Sequence, residues 1–176
     1  LLQGPAAAAR LVGLYQSAAS LEAAAERADA VLAELPPIDV LVLGMGEDGH
    51  TASLFPESPN LQQALDPRGT RRCLPMQAPT VPRQRLSMSL SLLASARLTL
   101  LALHGPGKLA TLNQALAGES YEAMPIRAFL ARPPAGVELV AIDRPGFGAT
   151  TPSNAVPSLA AQAAAIAPLL VEHDGR

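Results

Sequence analysis

The sequence predicts an α/β fold: a three-layer arrangement in which a mainly parallel sheet is flanked by helices. Three observations lead there. Segments with helical spacing alternate with short apolar runs along the chain. Those runs, "IDVLVL" and "ARLTLLAL" among them, are unbroken by polar alternation, as strands buried in a parallel sheet are. A dense glycine cluster follows the first run, where open parallel sheets hold their ligands.

Taken in order, Ser20 is a suitable N-cap for a helix. Leu21, Ala24, Ala28, Val31, Leu32 and Leu35 share one face, while Glu22, Glu26 and Arg27 decorate the other. Pro36-Pro37 stops that helix, and residues 38–43 form the first strand. The segment "LGMGEDGHTASLFP", residues 43–56, then brings Gly44, Gly46, Gly49, Glu47, Asp48 and His50 together, and "TASLF" reads as a short helical turn. Residues 60–84, rich in Pro and Arg, read as irregular surface connections. Residues 85–90 alternate Leu86, Met88 and Leu90 with small polar residues, a half-buried strand, and residues 96–103 form a second buried strand. "HGPGK" leads into a helix with Leu109, Leu112, Ala115 and Leu116 as its apolar positions and Gly118 at C′. "PIRAFLARPPAG" is a connection, residues 137–142 are another strand, and "PSLAAQAAAIAPLL" is an Ala-rich helix.

Composition excludes several classes. The 176 residues carry a formal charge of −2, 49% hydrophobic residues and 3% aromatics, which describe a globular domain rather than a disordered chain. No basic run is interleaved with aromatics, so no nucleic-acid partner is expected. No apolar stretch approaches the ~18 residues of a membrane span. The single Cys73 allows no internal disulfide and no Cys-based metal cluster, and a reducing interior such as the cytoplasm fits. Cys73 itself reads as a small residue without reactive neighbours.

The glycine cluster carries the chemistry. Gly44, Gly46 and Gly49 admit positive φ and let backbone N–H groups approach an anion. His50 enters at the start of a helical turn, where Glu47 and Asp48 favour imidazolium and a helix N-terminus disfavours it, the opposed balance that suits a general base. A tight strand-to-helix turn with a solvated His is the plainer alternative. "GMGEDG" mimics a dinucleotide fingerprint, but no acidic residue follows a further strand about twenty residues on.

"DVLVLGMGEDGHTASLFP" resembles the signature of the 6-phosphogluconolactonases, enzymes of the pentose phosphate pathway that hydrolyse 6-phosphoglucono-δ-lactone. The glucosamine-6-phosphate deaminases carry a similar loop but continue differently from Thr51-Ala52-Ser53-Leu54-Phe55-Pro56. "VPRQRLSMSL" resembles the lactonase segment whose Arg contacts substrate, implying that role for Arg85, and "LLALHGPGKLATLNQAL" implies a second basic contact at Lys108. "MPIRAFL" resembles the segment before the family's last strand. The resemblance spans residues 1–140. It implies His50 as the catalytic base with Asp48 beside it, and substrate contacts from Gly44, Gly46, Gly49, Thr51, Arg85 and Lys108. It also implies a sugar-phosphate lactone as substrate, with neither cofactor nor metal. His104, beside "GPGK", and His173 are read as structural and solvent-exposed, respectively.

Two departures set further expectations. The family carries a Gly-rich sugar-phosphate loop and an acidic-Arg segment ahead of what is residue 1 here, so the chain reads as a fragment with exposed strand edges and apolar faces. Residues 141–176 form an atypical tail, in which "VELVAIDRPGFG" and the following helix resemble an early α/β-hydrolase segment over residues 137–171. No G-x-S-x-G elbow accompanies it, so serine-hydrolase chemistry is not expected, and Asp143 and Arg144 read as turn residues. A silent sugar-phosphate-binding fragment and a related isomerase or deaminase are the alternative functions.

Overall fold

The computed structural model describes residues 4–103, 105–131 and 139–143. His104, His173, Arg144 and the tail helix lie outside the described residues. After a 3-10 turn at Gly4–Ala8, helix α1 (Leu21–Ala33) starts where Ser20 caps it, its side chain accepting from the Ala23 N–H at 3.1 Å. Ala24, Ala25 and Ala28 are buried on one face while Glu22, Glu26 and Arg27 stay exposed, so α1 is the amphipathic helix that the spacing predicts.

The sheet that positions the site has three parallel strands in the order β1–β4–β5: β1 (Val40–Leu43), β4 (Leu98–Leu103) and β5 (Leu139–Asp143). Leu43 pairs with Leu101 and Leu101 with Ala141, so all three carboxyl ends lie along one border. β5 runs across the 140/141 position and stays paired with β4 throughout. This is the α/β arrangement of a parallel sheet with helices. Helix α4 (Pro106–Leu116) leaves β4 at the same border from which the Gly44 loop leaves β1.

β1 is buried on one face only. Leu41 and Leu43 enter the core, but Val42 is 63% exposed and Val40 is exposed beside it, so the strand expected to be covered on both faces is bare on one. An exposed apolar face is therefore present, and among the described residues β1 has a strand on one edge only. On α4, Ala115 is buried and Leu112 half-buried, whereas Leu109 and Leu116 are exposed. The buried face keeps Leu112 and Ala115 but is rotated toward Thr111, whose hydroxyl donates to the Gly107 carbonyl at 3.1 Å.

Residues 60–84 are more ordered than their composition suggests. They contain the short helix α2 (Leu61–Ala64) and strand β2 (Cys73–Gln77), which pairs antiparallel with β3 (Gln84–Met88) as a separate two-stranded sheet. Pro75 lies within β2, and a sheet of two strands leaves it an edge where its lack of an N–H costs no ladder bond. β2 is buried over Cys73–Met76 from both sides, Cys73 against Ala25 and Ala28 of α1 and Leu74 and Met76 in the main core. The Asp29 carboxylate of α1 accepts from the backbone N–H groups of Arg72 and Cys73, the latter at 3.0 Å. Burial pushes the Cys73 thiol up to about 11, which removes thiolate reactivity and agrees with its reading as an inert residue. The strand expected over 85–90 ends at Met88. Ser89 caps helix α3 (Leu90–Leu93) instead, accepting from Leu92 N–H. Pro125 to Ala131 includes the short helix α5 (Arg127–Leu130) where only a connection was expected. No helix among the described residues is long and apolar enough to cross a membrane.

Candidate active site

The glycine loop closes on itself. Gly46 N–H donates to the His50 carbonyl at 2.8 Å, and Gly49 N–H to the Gly46 carbonyl at 3.2 Å. Those two amides are thus engaged within the loop, where the sequence had offered them to an anion. Among the described residues the amides of Glu47 and Asp48 find no protein acceptor. Gly49 has φ +77°, the left-handed region, and its bare Cα lies against Met124, whose Cε would be 2.7 Å from an added Cβ.

His50 and Asp48, two residues apart, meet across this turn. Nδ1 of the imidazole lies 2.6 Å from Asp48 Oδ1, and the same oxygen accepts the His50 backbone N–H at 3.1 Å. Burial pushes the Asp48 carboxyl up. The hydrogen bonds from His50 and the charge of its ring outweigh that effect and hold the carboxyl below its ordinary value. Nε2 is thereby the ring nitrogen free for a ligand. Phe55 braces the ring with centroids 4.5 Å apart and planes tilted by 46°.

Gly46 has a role that the sequence does not announce. A Cβ there would overlap Nδ1 and Cε1 of His50 and lie 2.5 Å from Asp48 Oδ1, so only glycine leaves room for the pair. Gly44 has nothing within 4 Å of such a carbon. Gly46→Ala is therefore expected to abolish the Nδ1–H resonance of the His50–Asp48 pair in 15N-edited NMR, while Gly44→Ala leaves it in place. A preserved resonance in Gly46→Ala would show that the ring does not depend on this space.

Thr51 is turned into the fold. It is 1% exposed, and its hydroxyl donates to the Gly44 carbonyl at 2.8 Å, fastening the loop to the end of β1. "TASLF" is likewise not a helical turn; Thr51 and Leu54 form an antiparallel bridge closed by a Leu54 N–H to Thr51 carbonyl bond of 2.9 Å. Ser87 on β3 accepts the Ser53 N–H at 3.2 Å, so the hairpin supports the loop from below. Arg85 is two residues earlier on the same strand face as Ser87. Its guanidinium turns onto the Pro82 and Gln84 carbonyls of its own hairpin. Lys108 lies in the first turn of α4, half-buried. It therefore shares the sheet border with the His50 loop.

The profile of the family described as glucosamine-6-phosphate isomerases/6-phosphogluconolactonase matches residues 1–138. The chain belongs to that family. A 6-phosphogluconolactonase of Pseudomonas putida is 67% identical over 133 residues, covering 76% of this chain and 55% of the relative. Its counterpart in Pseudomonas aeruginosa is 66% identical over 134 residues, covering 76% and 56%. The crystal structure of a 6-phosphogluconolactonase from Shewanella baltica superposes with a TM-score of 0.73 at 39% identity, covering 80% of this chain and 60% of that one. The chain thus spans about half the length of the curated relatives it matches. Met124, Phe55, Ser87 and Arg127, which all support the loop or its neighbours, were not singled out as site residues from the sequence. A cue existed for one of them: Arg127 is a lone charge inside the apolar run "MPIRAFL".

Proposed function

We propose that this family member hydrolyses 6-phospho-D-glucono-1,5-lactone to 6-phospho-D-gluconate. The observation that carries the reading is the His50–Asp48 pair, 2.6 Å apart at the carboxyl end of a parallel strand whose neighbour leads into the Lys108 helix. Asp48 accepts from Nδ1–H, which in the neutral ring selects the tautomer whose Nε2 lone pair can take a proton. Nε2 takes it from water as the oxygen attacks the lactone carbonyl. The tetrahedral intermediate then collapses, the bond from C1 to the ring oxygen breaks, and the imidazolium returns the proton to that oxygen. The amides of Glu47 and Asp48 are the donors suited to the developing oxyanion, the Gly46 and Gly49 amides being engaged elsewhere.

Lys108 binds the 6-phosphate with the Gly107 amide of the same turn, since Pro106 has no N–H and the Lys108 amide donates to the Gly105 carbonyl. Arg85 joins it after its guanidinium leaves the hairpin carbonyls. Remote phosphate binding of this kind is converted into positioning at C1. The proposed reaction belongs to the pentose phosphate pathway, and the single buried Cys73 suits a cytoplasmic location.

The test is acid release from freshly prepared lactone above its spontaneous hydrolysis. Ammonia or a ketose phosphate from an amino sugar phosphate would assign the deaminase or isomerase reaction instead. Thermal stabilisation by 6-phosphogluconate without turnover would assign binding alone. Lys108→Met is expected to raise KM for the phosphorylated lactone roughly 10- to 100-fold, the equivalent of the ~1.5–3 kcal/mol of a charge-assisted hydrogen bond. Steady-state kinetics measure this, and an unchanged KM would remove Lys108 from the phosphate site.

A further inference from the structure

Arg127 is a charged residue only 9% exposed, and no salt bridge joins it to a carboxylate among the described residues. Its guanidinium donates to three backbone carbonyls: Nε to Ala115 at 2.9 Å, Nη2 to Gln114 at 3.0 Å and Nη1 to Ser120 at 3.0 Å. Gln114 and Ala115 belong to the last turn of α4, whose carbonyls have no partner within the helix and whose dipole favours a cation. The space for this contact comes from Gly118. A Cβ there would overlap Nη2 and lie 2.5 Å from Cζ. Gly118 follows the C-cap, as the sequence suggests, but its φ is not left-handed, so glycine serves here by absence of bulk.

The residues just before Arg127 hold the other structure of interest. Ile126 N–H donates to the Gly49 carbonyl at 2.9 Å, and the Met124 side chain covers the Gly49 Cα. Four consecutive residues, Met124 to Arg127, thus grip the His50 loop at one end and the carboxyl end of α4 at the other. Helix α4 carries Lys108 in its first turn.

We propose that Arg127 is a positioning residue that fixes the spacing between the His50 loop and Lys108. This inference rests on the lactonase reading for its consequence, the phosphate held at a set distance from the base. A fork of three diverging donors defines helix orientation in a way that a single ammonium does not. A spacing error of about 1 Å is enough to cost on the order of 10²-fold in rate.

Two variants of the full chain test it: Arg127→Lys, which keeps the charge but loses the fork, and Gly118→Ala, which keeps Arg127 but fills its seat. Both are expected to accelerate amide hydrogen exchange at Gly46 by about tenfold under conditions where the protein stays folded. Acceleration confined to α4 would mean that Arg127 merely caps that helix, and the proposal would be overturned. In kinetics, the preference for the 6-phosphorylated lactone over the unphosphorylated one, as a ratio of kcat/KM, is expected to fall about tenfold in both variants. Equal losses on the two substrates would overturn it as well. A parent protein with no preference for the phosphorylated lactone would sink the substrate reading, while the exchange result would still decide the role of Arg127.

Discussion

His50→Ala is expected to lower kcat for lactone hydrolysis by ~10²–10⁴-fold, the range that a positioned general base contributes. Binding of 6-phosphogluconate should persist, because the proposed phosphate grip comes from a different strand and helix. The loss is assigned to His50 rather than to collapse of the loop by two features. The loop is closed by backbone bonds from Gly46 and Gly49 and by the Thr51 hydroxyl, none of which uses the imidazole. Asp48 acts through the ring, so adding Asp48→Ala to His50→Ala should cost little more than His50→Ala alone. Single-turnover rates and calorimetric binding of 6-phosphogluconate measure the two halves. Full turnover in His50→Ala would remove the imidazole from the chemistry, and joint loss of turnover and binding would show that the ring holds substrate rather than activating water.

Most of the parallel sheet was legible because β1 and β4 are made of Leu, Val, Ala and Thr runs bounded by Pro and Gly, a pattern that few other structures satisfy. Helix α1 was legible for the same kind of reason, as Ser20 and a stripe of Ala and Leu repeat at helical spacing. β2 was hidden by Pro75, whose tolerance depends on the pairing of its edge and not on its own neighbours. Helices α2, α3 and α5 have four residues each, too short to display a period. At the site, Asp48 and His50 stood out because residue type and nearness coincide. The support of the loop by Ser87 and Met124 did not, since their separation in sequence carries no mark of their contact in space, and Phe55, though only five residues from His50, reads as an ordinary apolar position. Glycine is the instructive case. Gly46 and Gly118 are required by side chains that arrive from elsewhere, His50 and Arg127, so a reading of glycine as backbone freedom finds the right positions and assigns the wrong cause.

Leu101→Ala is expected to destabilise the fold by ~2–5 kcal/mol, the usual cost of emptying a core leucine site. Leu101 is 0% exposed on β4, the middle strand, and stands in register with Leu43 on one side and Ala141 on the other. The cavity would therefore open on the core face of the sheet beside Leu43, under the strands whose ends carry the His50 loop and α4. For a chain of this size the loss corresponds to a fall in Tm on the order of 10 °C. Val42→Ala is the matched control: Val42 precedes Leu43 on β1 but is 63% exposed, so truncation there should stay within about 0.5 kcal/mol. Thermal and urea denaturation followed by circular dichroism distinguish the two. If the pair lost equal stability, the burial that separates the two faces of β1 would be wrong, and with it the side of the sheet on which the core lies. If only Leu101→Ala is destabilised, its residual turnover at temperatures well below its Tm then reports whether the His50 loop depends on the rigidity of the strands beneath it or only on its own backbone closure.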